Sequence, residues 1–242
     1  MRHVADCVYG VPMYAGFLNL YVLDTGAGLA VVDTGISAGS IDRLDKALAR
    51  RGRSLADVRH ILITHGHADH VGGLAALQAR TNALTYAHRL EAPAIRGETT
   101  LRAADPADLR GVQRLIAARM ARMEPAVYGR VDVEVEDGQS LDAVLPGLRV
   151  VHLPGHSDGQ VGYYLADSRV LIGGDVMGRF PWGLGMPLRG PSPDWQAAEE
   201  SVRKAAVMDV LVLCLGHGRP LVGSAAQPAD QAIARLAQRV SA

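Results

Sequence analysis

Apolar residues run along the chain in short blocks, and each block ends in glycines or a polar cluster. Phe17–Leu23 and Leu29–Val32 read as a strand pair, joined by the turn Asp24-Thr25-Gly26-Ala27-Gly28. Ile41, Leu44 and Leu48 then recur at helical spacing on one face of a helix that stops near Gly52. Arg59-His60-Ile61-Leu62-Ile63-Thr64 is a β-branched-rich run that predicts a buried strand, with a helix over 72–79 after it. Thr85–His88 is a further short strand. Strands with helices packed outside them predict an α/β fold.

Residues 90–128 break that rhythm. Leu109, Val112, Leu115, Ile116, Met120 and Met123 repeat at helical spacing, and Pro125 ends the run. Such a face either joins the core or, because methionine is adaptable, roofs a substrate pocket. Strands resume at Val131–Val135, followed by an Asp137-Gly138 turn and by Leu148–Leu153, Gln160–Leu165, Val170–Gly173 and Val210–Leu215. Ser192-Pro193 opens a helix, with serine as the expected cap and proline in the first turn. A last helix carries Ile233, Leu236 and Val240 on its apolar face. Nothing resembling a linker divides the chain, so 1–242 is expected to form one domain with a helical insertion at about 90–128.

The candidate chemistry lies where strands end. His65-Gly66-His67-Ala68-Asp69-His70 holds three of the nine histidines together with a carboxylate, between two rigid elements. A lone histidine would most simply be a solvated turn residue; this density of imidazole and carboxylate suits a divalent cation of the zinc type. His156, Asp175 and His217 each sit just past an apolar strand, beside glycines that let the backbone turn tightly. Strand ends of an open sheet gather at one edge, where ligands bind. Seven candidate ligands there (His65, His67, Asp69, His70, His156, Asp175 and His217) suffice for two metal ions. Asp33, at another strand end, is placed to support a ligand from behind. Two cations about 3.5–4 Å apart can share one water and lower its pKa from about 15.7 toward 7, giving hydroxide at neutral pH. Asp69 can then orient the attacking water or accept its proton. The reaction class implied is metal-assisted hydrolysis.

Composition narrows the substrate and the compartment. With 25 basic and 25 acidic side chains the formal charge is zero, which disfavours polynucleotide partners and points to a small-molecule substrate. Cys7 and Cys214 have neither metal-type nor disulfide-framework spacing, which suits a reducing compartment. No stretch approaches the roughly twenty apolar residues of a membrane span, and the N-terminus does not have the form of a signal peptide. A cytoplasmic enzyme is expected. The sequence is equally compatible with a monomer or a homo-oligomer.

The motifs His65-x-His67-x-Asp69-His70, Gly155-His156, Gly174-Asp175 and Gly216-His217, preceded by Val32-Asp33-Thr34-Gly35, resemble those of the metallo-β-lactamase superfamily in order and over nearly the whole length. The resemblance implies a four-layer αβ/βα sandwich. It also implies one metal on His65, His67 and His156, another on Asp69, His70 and His217, and Asp175 bridging. Two zinc ions are the expected cofactors, with iron or manganese as alternatives. Departures from named branches bear on substrate. Asp175 argues against β-lactam hydrolysis, and His67 stands where flavodiiron proteins have glutamate. Gly178 stands where acyl-homoserine lactonases place a tyrosine. Glyoxalase II is similar through the metal motifs, but its separate C-terminal helical domain is not expected here. The reading is a hydrolase of a small ester, thioester or lactone. The alternatives are a glyoxalase II-type glutathione thioesterase and a persulfide dioxygenase-like enzyme with one iron on His65, His156 and Asp175.

The segment 176–190 is the expected specificity loop. It holds one of two tryptophans and one of two phenylalanines, so Phe180, Trp182 and Met186 are expected to touch substrate, with Tyr14 on the opposite wall. Arg179 and Arg189 are expected at the surface.

Overall fold

A computed structural model describes residues 1–123, 126–224 and 229–240. Its first half runs β1 (Arg2–Ala5), β2 (Val8–Met13), β3 (Leu18–Asp24), β4 (Leu29–Val32), α1 (Ala38–Ala49), β5 (Val58–Leu62), α2 (Ala68–Val71), α3 (Leu74–Gln78), β6 (Leu84–His88), α4 (Ala92–Ile95), α5 (Gly111–Met120) and β7 (Val133–Val135). The second half runs β8 (Leu148–His152), β9 (Val161–Leu165), β10 (Val170–Ile172), β11 (Gly178–Phe180), β12 (Gly183–Gly185), α6 (Trp195–Ala206), β13 (Val212–Cys214), β14 (Leu221–Val222) and α7 (Ala229–Val240).

Two sheets result. β1 to β7 pair in sequence order, antiparallel from β1 to β4 and parallel from β4 to β7. The second sheet has the order β14-β13-β10-β9-β8, parallel only between β10 and β13. Strand alternation shows how they stack. Leu18, Leu20 and Val22 of β3 face a core shared with Ile41, Leu44, Leu48, Leu74 and Leu77 of α1 and α3. Tyr21 and Leu23, one residue out of phase, face a second core with Val150, Val161, Tyr163 and Ile172 of the other sheet. A third core joins Leu153, Leu171 and Leu213 to Val202 of α6 and to Ile233 and Leu236 of α7. The layers are therefore helix, sheet, sheet, helix, the αβ/βα sandwich expected. Strands buried on both faces account for the continuous apolar runs.

Two tyrosines fasten the sheets together beside the strand ends that matter. Tyr163 Oη donates to Ile63 O at 2.8 Å, and Tyr21 Oη donates to Leu215 O at 2.8 Å. Ile63 precedes the histidine motif and Leu215 precedes Gly216-His217.

The structure differs from the sequence expectation at four places. β1 and β2 form a hairpin that the pattern hid, because Gly10 and Pro12 interrupt the apolar alternation. Pro12 lies beyond the reach of β1, which pairs β2 only over Val8–Gly10, so no ladder bond is lost. Helix begins at Ala68, inside the histidine motif, and Gly72-Gly73 separates α2 from α3. A Cβ at Gly73 would lie 2.3 Å from Thr34 O and one at Gly72 2.2 Å from Ile36 O, so glycine alone allows this approach to the chain leaving β4. α5 turns only part of its apolar set inward: Val112 and Leu115 are 65% and 71% exposed. The expected stop at Pro125 lies outside the described residues. Finally, Asp194 and not Ser192 caps α6, its carboxylate accepting from Ala197 N at 2.9 Å.

Where β6 and β8 end, His88 is buried and stacks on His152, with ring centroids 4.4 Å apart and planes 9° from parallel. Burial first, then His152 and Arg89, push the His88 pKa down to about 4 against weaker opposing pulls from Glu136 and Asp137. Folded His88 thus stays neutral where an unfolded histidine takes a proton. Its contribution to stability is complete above about pH 6.5 and is lost as the pH falls toward 4. His88→Gln is expected to remove about 2 kcal/mol of the fall in unfolding free energy between about pH 7 and pH 4.5. Urea denaturation at the two pH values measures this; equal falls in wild type and variant would refute it.

Candidate metal centre

The seven expected ligands converge where β4, β5, β8, β10 and β13 end. His65, His67, His70, His156 and Asp175 are buried, while Asp69 and His217 are partly open. Their donor atoms form three groups: His65, His67 and His156; His65, His70 and Asp175; and Asp69, His70 and His217. Asp175 lies between the outer two. Its Oδ2 is 3.5 Å from His156 Nε2 and 3.1 Å from His217 Nε2, and its Oδ1 is 3.5 Å from His70 Nε2. Asp69 Oδ2 is 3.1 Å from His217 Nε2.

Hydrogen bonds from behind fix which nitrogen each ring presents. Thr64 Oγ1 donates to Asp33 Oδ2 at 2.8 Å, which leaves it to accept from His65 Nδ1 at 3.1 Å. Asp33 Oδ2 also takes the Nδ1 proton of His70 at 2.8 Å. Asp33 holds this post with a left-handed φ of 61°, a conformation aspartate tolerates better than most residues. Ser192 Oγ donates to Leu188 O at 2.6 Å and so accepts from His156 Nδ1 at 3.1 Å. His217 Nδ1 donates to Phe17 O at 3.1 Å. In all four rings Nδ1 carries the proton and Nε2 points to the centre, an arrangement that suits metal-binding histidines.

Several of these central atoms lack a protein partner. His65 Nε2, His67 Nε2, His70 Nε2 and Asp175 Oδ1 are buried without a hydrogen bond. His67 Nδ1 lies 3.0 Å from His156 Nε2, whose proton is already on its other nitrogen. Tetrahedral Zn–N bonds of about 2.0–2.1 Å would set such nitrogens about 3.3 Å apart, so the group is close to the geometry a cation needs. Buried polar atoms left unpaired are costly, and cations held by this cluster would satisfy His65 Nε2, His70 Nε2 and Asp175 Oδ1, with His67 turning its Nδ1 toward the ion shared with His156. The residues fit a metal.

Electrostatics divide the centre in two. Burial above all, then the neighbouring imidazoles, hold His65 well below its usual pKa. The same causes take His67 down to about 3, and burial takes His156 to about 4. These three stay neutral donors. Burial also pulls on His70 and His217, but carboxylates outweigh it. Asp175, Asp33 and Asp69 hold His70 well above 6.5, and Asp175 with Asp69 lifts His217 to about 10. Asp69 and Asp175 are in turn held well below the usual carboxylate range, burial being overcome by His70 and His217. Without a metal, His70 and His217 hold protons against Asp69 and Asp175 while the other three imidazoles stay neutral.

A cavity of about 300 Å3 opens over these groups. His67, Asp69, His156, Asp175 and His217 form its floor; Phe17, Leu101, Ile116, Met120, Tyr128 and Leu188 form much of its wall. Ile116, Met120 and Met123 come from α5 and the turn after it, so the insertion does border the cavity. The expected specificity residues are placed differently. Phe180 reaches a side recess of about 70 Å3 next to Asp175 and His217. Trp182 lies outside the cavity: it is 80% exposed and stacks flat on Phe180, with centroids 5.2 Å apart. Met186 packs on the core under α7. Tyr14 is half exposed under the guanidinium of Arg43. Arg179 donates to Pro220 O and Arg189 lies over the Trp195 ring, so neither turns into the cavity. Sequence reasoning passed over Phe17, Tyr128, Ser192 and Glu91. Phe17 alone left a signal, since alternation from buried Leu18 turns it outward.

A two-sheet sandwich with such a cluster at one end defines a metal-dependent enzyme. Residues 13–217 match the family described as the metallo-beta-lactamase superfamily, and the chain belongs to it. It is 28% identical over 226 residues to the probable metallo-hydrolase YybB of Bacillus subtilis, covering 91% of this chain and 90% of that protein. It is 33% identical over 175 residues to a hydroxyacylglutathione hydrolase of Rhodopseudomonas palustris, covering 71% of this chain but only 51% of that enzyme. Among solved structures, the metallo-beta-lactamase family protein TTHA1429 of Thermus thermophilus matches 97% of this chain and 79% of its own, with TM-score 0.70 and 23% identity. TTHA1623, solved in a di-iron-bound form, matches 88% of this chain and 94% of its own, with TM-score 0.63 and 27% identity. Among the described residues, no helix is long and apolar enough to cross a membrane.

Proposed function

We propose that this chain is a dinuclear metal-dependent hydrolase of small esters, thioesters or lactones with an uncharged, apolar acyl part. His65, His67 and His156 would hold one ion, Asp69, His70 and His217 the other, and Asp175 would bridge; zinc is the proposed metal. When bound, the ions supply Lewis acidity and an activated water at neutral pH. The chain's own residues do the rest. The neutral imidazoles leave the ions' charge undiminished. Asp69, whose side chain is 36% exposed, can hold or accept a proton at the cavity floor. The insertion 90–128 roofs the acyl site, and we take 1–242 to work as one unit.

One observation carries this reading: among the described residues, no lysine or arginine lines the cavity above the ligand cluster. A largely apolar wall whose other polar groups, Thr99, Thr100 and Tyr128, carry no charge suits an uncharged body. A second reading, a glutathione thioesterase, is favoured by the hydroxyacylglutathione hydrolases among the relatives. A glutathione thioester brings carboxylates that this wall offers no cation to meet.

Elemental analysis and a substrate panel test the proposal. Protein purified without chelators should hold about two metals per chain, mainly zinc, given ligands enough for two sites. Turnover efficiency should be highest for an apolar ester or lactone, lower for S-lactoylglutathione and lowest for a β-lactam. A single iron with oxygen consumption on a persulfide, or a clear preference for the glutathione thioester, would overturn it.

A further inference from the structure

Glu91 is fully buried and does not line the cavity. Its carboxylate spans the gap between the two loops that carry the first three histidines. Oε2 accepts from Gly66 N at 2.7 Å and Oε1 accepts from Gly159 N at 2.7 Å. Gly66 separates His65 from His67, and Gly159 follows His156 by three residues. Both glycines are pressed against this side chain. A Cβ at Gly66 would lie 3.1 Å from Oε2, and one at Gly159 would lie 2.9 Å from Cγ and 3.0 Å from Oε1. Glu91 is itself anchored, its N–H donating to His88 O at 2.9 Å and its carbonyl accepting from Ile95 N at 3.1 Å at the start of α4.

A buried carboxylate is expensive, and only a specific use of both oxygens offsets the cost. Here each oxygen meets one backbone N–H, one from each loop. A glutamine could satisfy one amide but would turn its own N–H2 toward the other. A leucine would satisfy neither. The arrangement fixes how far apart the two loops stand, and with them the donor atoms of His65, His67 and His156.

We propose that Glu91 is a positioning residue that sets the spacing of the His65–His67 loop and the His156 loop, so that their three imidazoles converge on one cation. This rests on the metal reading given above. It assigns Glu91 no contact with substrate. Its effect is on metal affinity.

The test titrates cobalt(II) into chelator-treated protein, following the ligand-field bands and competition with a chelator. Four proteins are compared: wild type, Glu91→Gln, Glu91→Asp and Leu77→Ala. Leu77 belongs to α3, is buried in the first core and is part of neither loop, so Leu77→Ala destabilises the fold while leaving Glu91 and its two amide partners in place. Glu91→Gln is expected to weaken the tighter cobalt site by about 10–100-fold, the scale of a lost outer partner, and to alter its bands. Glu91→Asp keeps the charge but is too short to reach both amides, and loses less, about tenfold. If Glu91→Gln does not fold, Glu91→Asp carries the comparison alone. Leu77→Ala should melt lower yet bind cobalt as wild type does. Glutamate variants with wild-type affinity and bands, or a matching loss in Leu77→Ala, overturn the proposal. Wild type that takes up no cobalt overturns the metal reading beneath it.

Discussion

Asp175→Asn is expected to lower turnover of an activated ester by more than about 100-fold while leaving the fold intact, since even an outer-shell loss at a metal site costs 10–100-fold. Both carboxylate oxygens face ligand nitrogens: Oδ1 lies 3.5 Å from His70 Nε2, and Oδ2 faces the Nε2 atoms of His156 and His217. An asparagine keeps one oxygen and turns an N–H2 toward the other side, where a lone pair is needed. The space is too tight for the side chain to swing away, because Gly216 is so close that a Cβ there would lie 2.2 Å from Oδ1. Loss at this one position should therefore loosen both halves of the centre. The fold is spared because the Asp175 backbone N–H keeps its bond to Gln160 Oε1. Metal content, melting temperature and turnover are measured together. Near wild-type turnover with two metals bound would sink the bridging assignment.

What the sequence could reveal follows from which interactions are local. Strands such as Leu29–Val32, buried on both faces, announce themselves as apolar runs. The ligands are legible because few residue types bind a cation, and because four of them crowd one six-residue motif while His156, Asp175 and His217 each follow a strand beside a glycine. The groups that aim those ligands are hidden by distance along the chain. Ser192 lies 36 residues from His156, and Glu91 lies 68 from Gly159. A serine next to a proline looks like a helix cap until Asp194 is seen to fill that role, which frees Ser192 to orient His156. Trp182 shows the opposite error. Rarity and a glycine-rich setting made it look functional, but β11 and β12 form a hairpin with Trp182 at the turn, which carries the ring away from the centre. Of Phe180, Trp182 and Met186, it is Phe180, on β11 itself, that stays beside Asp175 and His217.

That difference between pattern and placement makes a paired prediction. Met120→Ala is expected to lower kcat/KM for the best apolar substrate by about 10–200-fold, the scale of a lost apolar contact in a pocket. Met120 lines the cavity wall on α5 beside Ile116, one turn earlier, and makes no hydrogen bond or ring contact with the ligand cluster. Metal content should therefore be unchanged, and the loss should fall on every substrate with an apolar acyl part. Trp182→Ala removes a larger ring, yet one that is 80% exposed and touches Phe180 rather than the cavity. Its effect should stay within about threefold, as for a surface change away from packed or paired groups. The ordering is decided by burial at the reacting end, not by side-chain size or rarity. Steady-state kinetics on an ester and a lactone, with metal analysis of each protein, make the comparison. A larger loss in Trp182→Ala than in Met120→Ala would place the acyl group under the β11–β12 hairpin instead of against α5.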